Sequence, residues 1–308
     1  MKQNQKTRRS SRNQIRRLMS ALPAAISVLA LPALAANSPT PGQPAGYQPY
    51  PGSAQSRPEV RTRVLGGSAV GSGTRVALTD AGSIVRSSDG VGWFNVPRAN
   101  VPLYGIACGG GLVVAVGHNG TILASADGVQ WNAQVSGTPS ALHGISYGAG
   151  TFVAVGNEGV ILSSTDGVNW TQRSAPDTNE ERLRGVTFGQ GRFVAVGYEG
   201  TLLTSGDGAH WARLSSETRE RLQGIEFGND TFVAIGWHGV VLSSHDGLAW
   251  ARTTAGSANL NSIAWQNGSF TTTAANGAIL VSIDGNAWST QFPTAPVLTA
   301  NDSISTIP

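Results

Sequence analysis

The chain has 308 residues, one of them Cys and 40 of them Gly, and only 13% are charged. A single cysteine excludes an internal disulfide, and scarce charge with abundant Gly favours tight turns and β structure over long surface helices. The formal net charge of +3 comes from the start of the chain, where Lys2, Lys6, Arg8, Arg9, Arg12, Arg16 and Arg17 meet no acid; without them 14 cations face 18 acids, and a charge-based case for a nucleic-acid partner falls.

An apolar run, LMSALPAAISVLALPALAANS, follows those basic residues and carries Ala33-Leu34-Ala35 near its end. Basic region, apolar region and small-residue site together describe a secretory signal peptide over 1–35, cut near Ala35. Pro23 and Pro32 interrupt the run, which leaves it short of the roughly 20 apolar residues that a membrane span needs. Arg8-Arg9 lacks the apolar residues expected after a twin-arginine pair, so general secretion is expected. No cysteine near the cut can carry a lipid, and the product is expected to be periplasmic or secreted, with no stable membrane span in its mature form. Residues 36–58 hold six Pro and little to bury, which reads as an extended linker.

A repeat then takes over, and the propeller domain is placed at 59–298, with a tail at 299–308. Copies begin at Leu65, Leu103, Leu142, Leu183, Leu222 and Leu260, and each closes on Ser-x-Asp-Gly-x-x-Trp. The closing tryptophans, Trp93, Trp131, Trp170, Trp211, Trp250 and Trp288, are spaced 38, 39, 41, 39 and 38 residues apart. Within the third copy the pattern predicts four short strands, Leu142–Tyr147, Thr151–Val155, Val160–Ser164 and Asn169–Arg173, in a meander punctuated by Gly. Four strands per repeat of this length make a propeller blade. The expectation is an all-β propeller of six four-stranded blades, with seven as the alternative count.

The closing motif explains itself locally. Asp accepts hydrogen bonds from turn amides, Ser does so more weakly, Gly takes the positive φ of the bend, and Trp folds back over the turn. Asp89, Asp127, Asp166, Asp207, Asp246 and Asp284 therefore read as six equivalent staples. An active site needs a unique constellation, and a six-fold repeat is the opposite of one. The motif resembles the Asp box of BNR-repeat propellers, one residue shorter between Asp and Gly than the sialidase form. The fuller string FVAVGxxGxILxSxDGxxW resembles bacterial relatives of the photosystem II stability/assembly factor family, over about 65–292. That resemblance implies a propeller that holds a partner polypeptide without catalysis.

If the shared positions build the scaffold, function belongs where the copies diverge. One such place is the pair inside G-x-x-G between second and third strands: His118-Asn119, Asn157-Glu158, Tyr198-Glu199 and Trp237-His238. Another is the residue after the leading Leu, which includes Tyr104, His143, Arg184 and Gln223. A meander puts both sets at one end of the blade, near the channel mouth and opposite the Asp motifs. Aromatic and Arg anchors ringed by polar groups suit a protein interface. Charged inter-blade loops, SAPDTNEERLRG and SSETRERLQG, lie at the same end. Cys108 stands where other copies have Tyr147, Phe188, Phe227 and Trp265, and reads as a small apolar substitute.

No residues announce a reaction, a cofactor or a metal: the five His show no ligand spacing, and His118 and His238 lie in separate blades. Arg184 with Tyr198-Glu199 offers fragments of a sialidase site, but no three-arginine cluster is expected from the repeat offsets. Glu158 and Glu199 are the one carboxylate pair that a glycosidase reading has to work with. The expected function is an exported, non-catalytic propeller that binds a protein partner and assists assembly or maturation of an envelope complex. The alternative is a glycan-acting propeller, a sialidase-like hydrolase or a lectin.

Overall fold

The computed structural model describes residues 67–69, 74–79, 81–88, 92–96, 101–176 and 181–291. The predicted signal peptide, the linker, the tail and Asp89 lie outside the described residues. Six antiparallel four-stranded sheets stand in a ring, forming a six-bladed β-propeller. Blades 1 to 6 span 67–95, 103–134, 142–173, 183–213, 222–254 and 260–291. In every blade the strands pair in chain order, so each blade is one uninterrupted meander, and the first strands of successive blades touch one another around the axis.

Blade 3 has strands Leu142–Gly148, Thr151–Gly156, Ile161–Ser164 and Thr171–Arg173. Its last strand starts two residues later than predicted, because Asn169 is drawn into the turn, its side-chain amide donating to Asp166 Oδ2 at 2.7 Å.

The second strands read as continuous apolar runs, and the packing shows why. Phe152 and Ala154 face blade 2, in a cluster with Val114, Val116 and Ile145, while Val153 and Val155 face blade 4 beside Val186 and Phe193. A strand covered on both faces has no solvent side for polar residues to occupy, so alternation disappears. The outermost strands are largely exposed.

Aromatic residues lock the seams near the axis. Tyr147, Phe188, Phe227 and Trp265 each lie flat over a Gly of the preceding blade: a Cβ on Gly109, Gly148, Gly189 or Gly228 would fall 2.0–2.3 Å from ring atoms. Each ring also packs on the following strand's Phe, as Phe188 does on Phe193 with centroids 4.7 Å apart. Cys108, at the matching position of blade 2, is half-buried against the cluster between blades 1 and 2. None of the helices among the described residues is long and apolar enough to cross a membrane.

Candidate functional site

Two ends of the ring are built differently. At one end, the Asp motifs tie the third strand to the fourth. Asp166 Oδ1 accepts the amides of Val168 and Asn169 at 2.9 and 2.8 Å, while Ser164 Oγ accepts Gly167 N–H at 2.9 Å and donates to Asp166. Trp170 Nε1 donates to the Gly167 carbonyl at 3.2 Å. The same pattern holds Asp127 with Trp131, Asp207 with Trp211 and Asp284 with Trp288, and Asp246 likewise accepts two amides. Trp250 packs into the seam between blades 4 and 5 although its Nε1 has no partner among the described residues, and Trp93 is half-buried. These backbone donors hold the carboxylates of Asp127, Asp166, Asp207, Asp246 and Asp284 below the usual range.

At the other end lie the G-x-x-G turns. The first residue of each variable pair donates its amide to the carbonyl just before the leading Leu: His118 to Pro102, Asn157 to Ala141, Tyr198 to Arg182 and Trp237 to Arg221, all at 2.9 Å. Turn and strand entry are thus clamped side by side, as the meander predicts. The second residue takes a left-handed conformation, with φ of 51° at Asn119, 59° at Glu158, 53° at Glu199 and 53° at His238. The following Gly in blades 3 and 4 reaches the next blade, its amide donating to the Glu181 and Glu220 carbonyls.

Five of the predicted residues join into one continuous chain across blades 2 to 5. Tyr104 stacks on His143, with centroids 5.2 Å apart and planes at 30°. Arg184 Nη1 lies 3.1 Å from His143 Nδ1 and 3.0 Å from Nε2. His143 Nε2 also faces Asn157 Oδ1 at 3.0 Å; a proton placed there leaves Nδ1 free to accept from Arg184. Arg184 Nη2 donates to the Tyr198 hydroxyl at 2.8 Å. Arg221 then lies between two rings, 4.3 Å from the Tyr198 centroid and 5.1 Å from that of Trp237, which is 38% exposed.

Two members of this cluster belong to the charged inter-blade loops that the sequence placed at this end, and not to the variable positions singled out as site residues. Arg182 and Arg221 directly precede the leading Leu of blades 4 and 5, and Arg182 lies 5.6 Å from the Tyr198 ring. With Arg184, 5.1 Å from the same ring, three guanidiniums converge on one phenol, contrary to the expectation that no such cluster forms. The offset used to search for variable residues began one position too late. The repeated Arg-Leu-x-Gly string in these two blades was the available signal.

The electrostatics are those of a cluster of like charge. Among the described residues, the ion pairs are His210–Asp207, Arg213–Glu181 and His238–Glu220, and none involves Arg182, Arg184 or Arg221. Arg184 Nε, Arg221 Nε and Gln223 Oε1 are buried without a partner among the described residues. Burial, and then the charge of Arg184, depress the His143 ring to about 4. Burial alone would raise the Tyr198 phenol, but the hydrogen bond and charge of Arg184 and the charge of Arg221 outweigh it and bring it below its usual value. Arg184 and Arg221 are half-buried while Arg182 is exposed, and three like charges gathered at one aromatic ring repel one another.

Other predicted residues stay apart from the cluster. His118, Asn119 and Glu199 are exposed, Glu158 accepts from Ser140 Oγ at 2.7 Å, and His238 pairs with Glu220 at 2.8 Å. Among the described residues no three His, Cys, Asp or Glu side chains gather to hold a metal ion.

Fold and site together define a six-bladed propeller with an arginine-rich, aromatic-backed mouth. No family model matches the chain, and no curated protein matches it. Solved structures do. YCF48 bound to D1 peptide is 20% identical, with a TM-score of 0.58 over 75% of this chain and 81% of that one. YCF48 from Cyanidioschyzon merolae is 17% identical, with a TM-score of 0.58 over 75% and 85%. A nidogen/laminin complex contributes a chain 13% identical, with a TM-score of 0.54 over 68% and 89%. At these identities the likeness is one of fold.

Proposed function

We propose that this chain is an exported, non-catalytic propeller that holds an extended, acidic segment of a partner polypeptide across its channel mouth. The observation that carries this is the convergence of Arg182, Arg184 and Arg221 on Tyr198 with no carboxylate of the described residues bonded to them. Guanidiniums bind carboxylates through paired N–H donors, and those backed by aromatic rings are already oriented. Tyr104 and Trp237 at the two ends of the cluster supply apolar contact for neighbouring residues of the segment. That one similar fold is of YCF48 bound to a D1 peptide supports a polypeptide ligand. The basic and then apolar start of the chain supports action in the cell envelope, in the assembly or maturation of a complex there.

Three arginines also suit the carboxylate of a sialylated glycan, which is the second reading. Against hydrolysis, the Tyr198 hydroxyl is bonded by Arg184, while Glu199 points to solvent. The test is binding of the full chain to arrayed acidic peptides, the matching amide peptides and sialylated glycans. The expected result is retention of acidic peptides, weakened at least tenfold in an Arg184→Gln, Arg221→Gln variant. Retention of glycans alone favours the second reading. Equal retention of every probe by wild type and variant removes this face from consideration.

A further inference from the structure

His143 is the one imidazole inside the cluster, and nothing so far assigns it a task. We propose that His143 is a proton-dependent fourth anchor of the anion site: an anion seated among the arginines draws a proton onto the ring, so affinity rises as pH falls below neutral. The inference rests on the reading of this mouth as an anion-binding site.

The groups around the ring make the argument. Tyr104 of blade 2 stacks on it, Asn157 of its own blade accepts from it, and Arg184, itself bonded to the Tyr198 hydroxyl, approaches from blade 4. The charges of Arg182 and Arg221 act on it from farther off. Among the described residues no carboxylate takes part: Glu158, beside Asn157, is engaged by Ser140. With Asn157 and Arg184 as partners the neutral ring is satisfied on both sides, and desolvation with three nearby cations keeps the proton off. An anion cancels the field of those cations and leaves the ring with a reason to charge. The protonated ring gains a second N–H, no longer accepts from Arg184 Nη1, and frees that donor for the ligand. Stacking on Tyr104 favours the cationic form.

Coupling of this kind is reciprocal, so proton uptake on binding and tighter binding at low pH are one quantity. A ring that moves from about 4 to about 6 on binding tightens the complex about tenfold between pH 7 and pH 5. Above pH 7 both states are neutral at His143 and the dependence vanishes.

Two probes separate this inference from the reading beneath it: sulfate, whose charge is constant over the range used, and an acidic peptide with an amidated C-terminus. NMR of the His Cε1–H signals of the full chain, with His143 assigned through His143→Gln, follows the ring itself. Expected is a ring still mostly neutral at pH 5 without sulfate, and a midpoint at least one pH unit above 4 with saturating sulfate. Calorimetry is expected to show peptide Kd falling about tenfold from pH 7 to pH 5 in wild type and less than twofold in His143→Gln. Binding of either probe with an unmoved His143 midpoint overturns the proposal and leaves the anion site standing. Failure of both probes to bind at any pH overturns the anion-site reading, and this inference with it. The wild-type midpoint decides the matter even if His143→Gln folds poorly.

Discussion

Glu226 lies on the inner strand of blade 5, where the matching positions are Ala107, Ser146, Thr187 and Ala264. Its carboxyl accepts one hydrogen bond, from the Phe227 amide at 3.1 Å, and it makes no ion pair among the described residues. Burial pushes it up to about 7 from an ordinary 4.5. A carboxyl that holds its proton longer folded than unfolded loses stability as pH rises: the folded chain binds more protons between 4.5 and 7, so the cost accumulates across that window. The full gap corresponds to about 3 kcal/mol, and because the residue is half-buried rather than enclosed, solvent reduces this to about 1–3 kcal/mol. Glu226→Gln keeps the acceptor for Phe227 and removes the titration. Urea unfolding of both proteins at pH 4.5 and pH 8 is the assay, and the pH dependence of the difference is the readout, since any fixed cost of the new amide cancels. The variant should gain about 1–3 kcal/mol on wild type between the two pH values. Parallel pH profiles would refute the reasoning, because they would mean the carboxyl is solvated or paired in the folded state.

Gly148→Ala places a Cβ 2.0 Å from Phe188, so overpacking should destabilise the seam between blades 3 and 4 by about 1–3 kcal/mol in thermal melts, while Gly150→Ala, with nothing nearby but φ of +76°, meets only backbone strain. Ser164→Ala leaves the buried Gly167 amide without its acceptor and should cost about 1–3 kcal/mol by urea unfolding. The five described box aspartates are held below their ordinary 3.8, so their contribution persists above that value and is lost only as pH falls through the lowered ones. Near-UV circular dichroism should therefore hold to about pH 4 and be lost cooperatively below it; loss already at pH 5 would contradict this.

The blade count, the strand order and the role of the Asp motif were legible in the chain because each depends on contacts within one repeat. Ser164, Asp166, Gly167 and Trp170 lie within seven residues, and their bonds close a turn whose geometry any copy reproduces. The same locality placed the variable turns beside the strand entries. Strand ends were less legible, because Asn169 serves the turn rather than the ladder.

The arginine cluster belongs to the other category. Arg182 and Arg184 sit about forty residues from Arg221, and from His143, in the neighbouring copies. Each looks unremarkable in its own repeat. Only the rotation of one blade onto the next brings their side chains to a single phenol, with Arg184 and Arg221 half-buried there and Arg182 exposed. Sequence periodicity determined the wheel, since it repeats a local solution; the ring closed the distances between copies, and those distances are what charge and burial respond to.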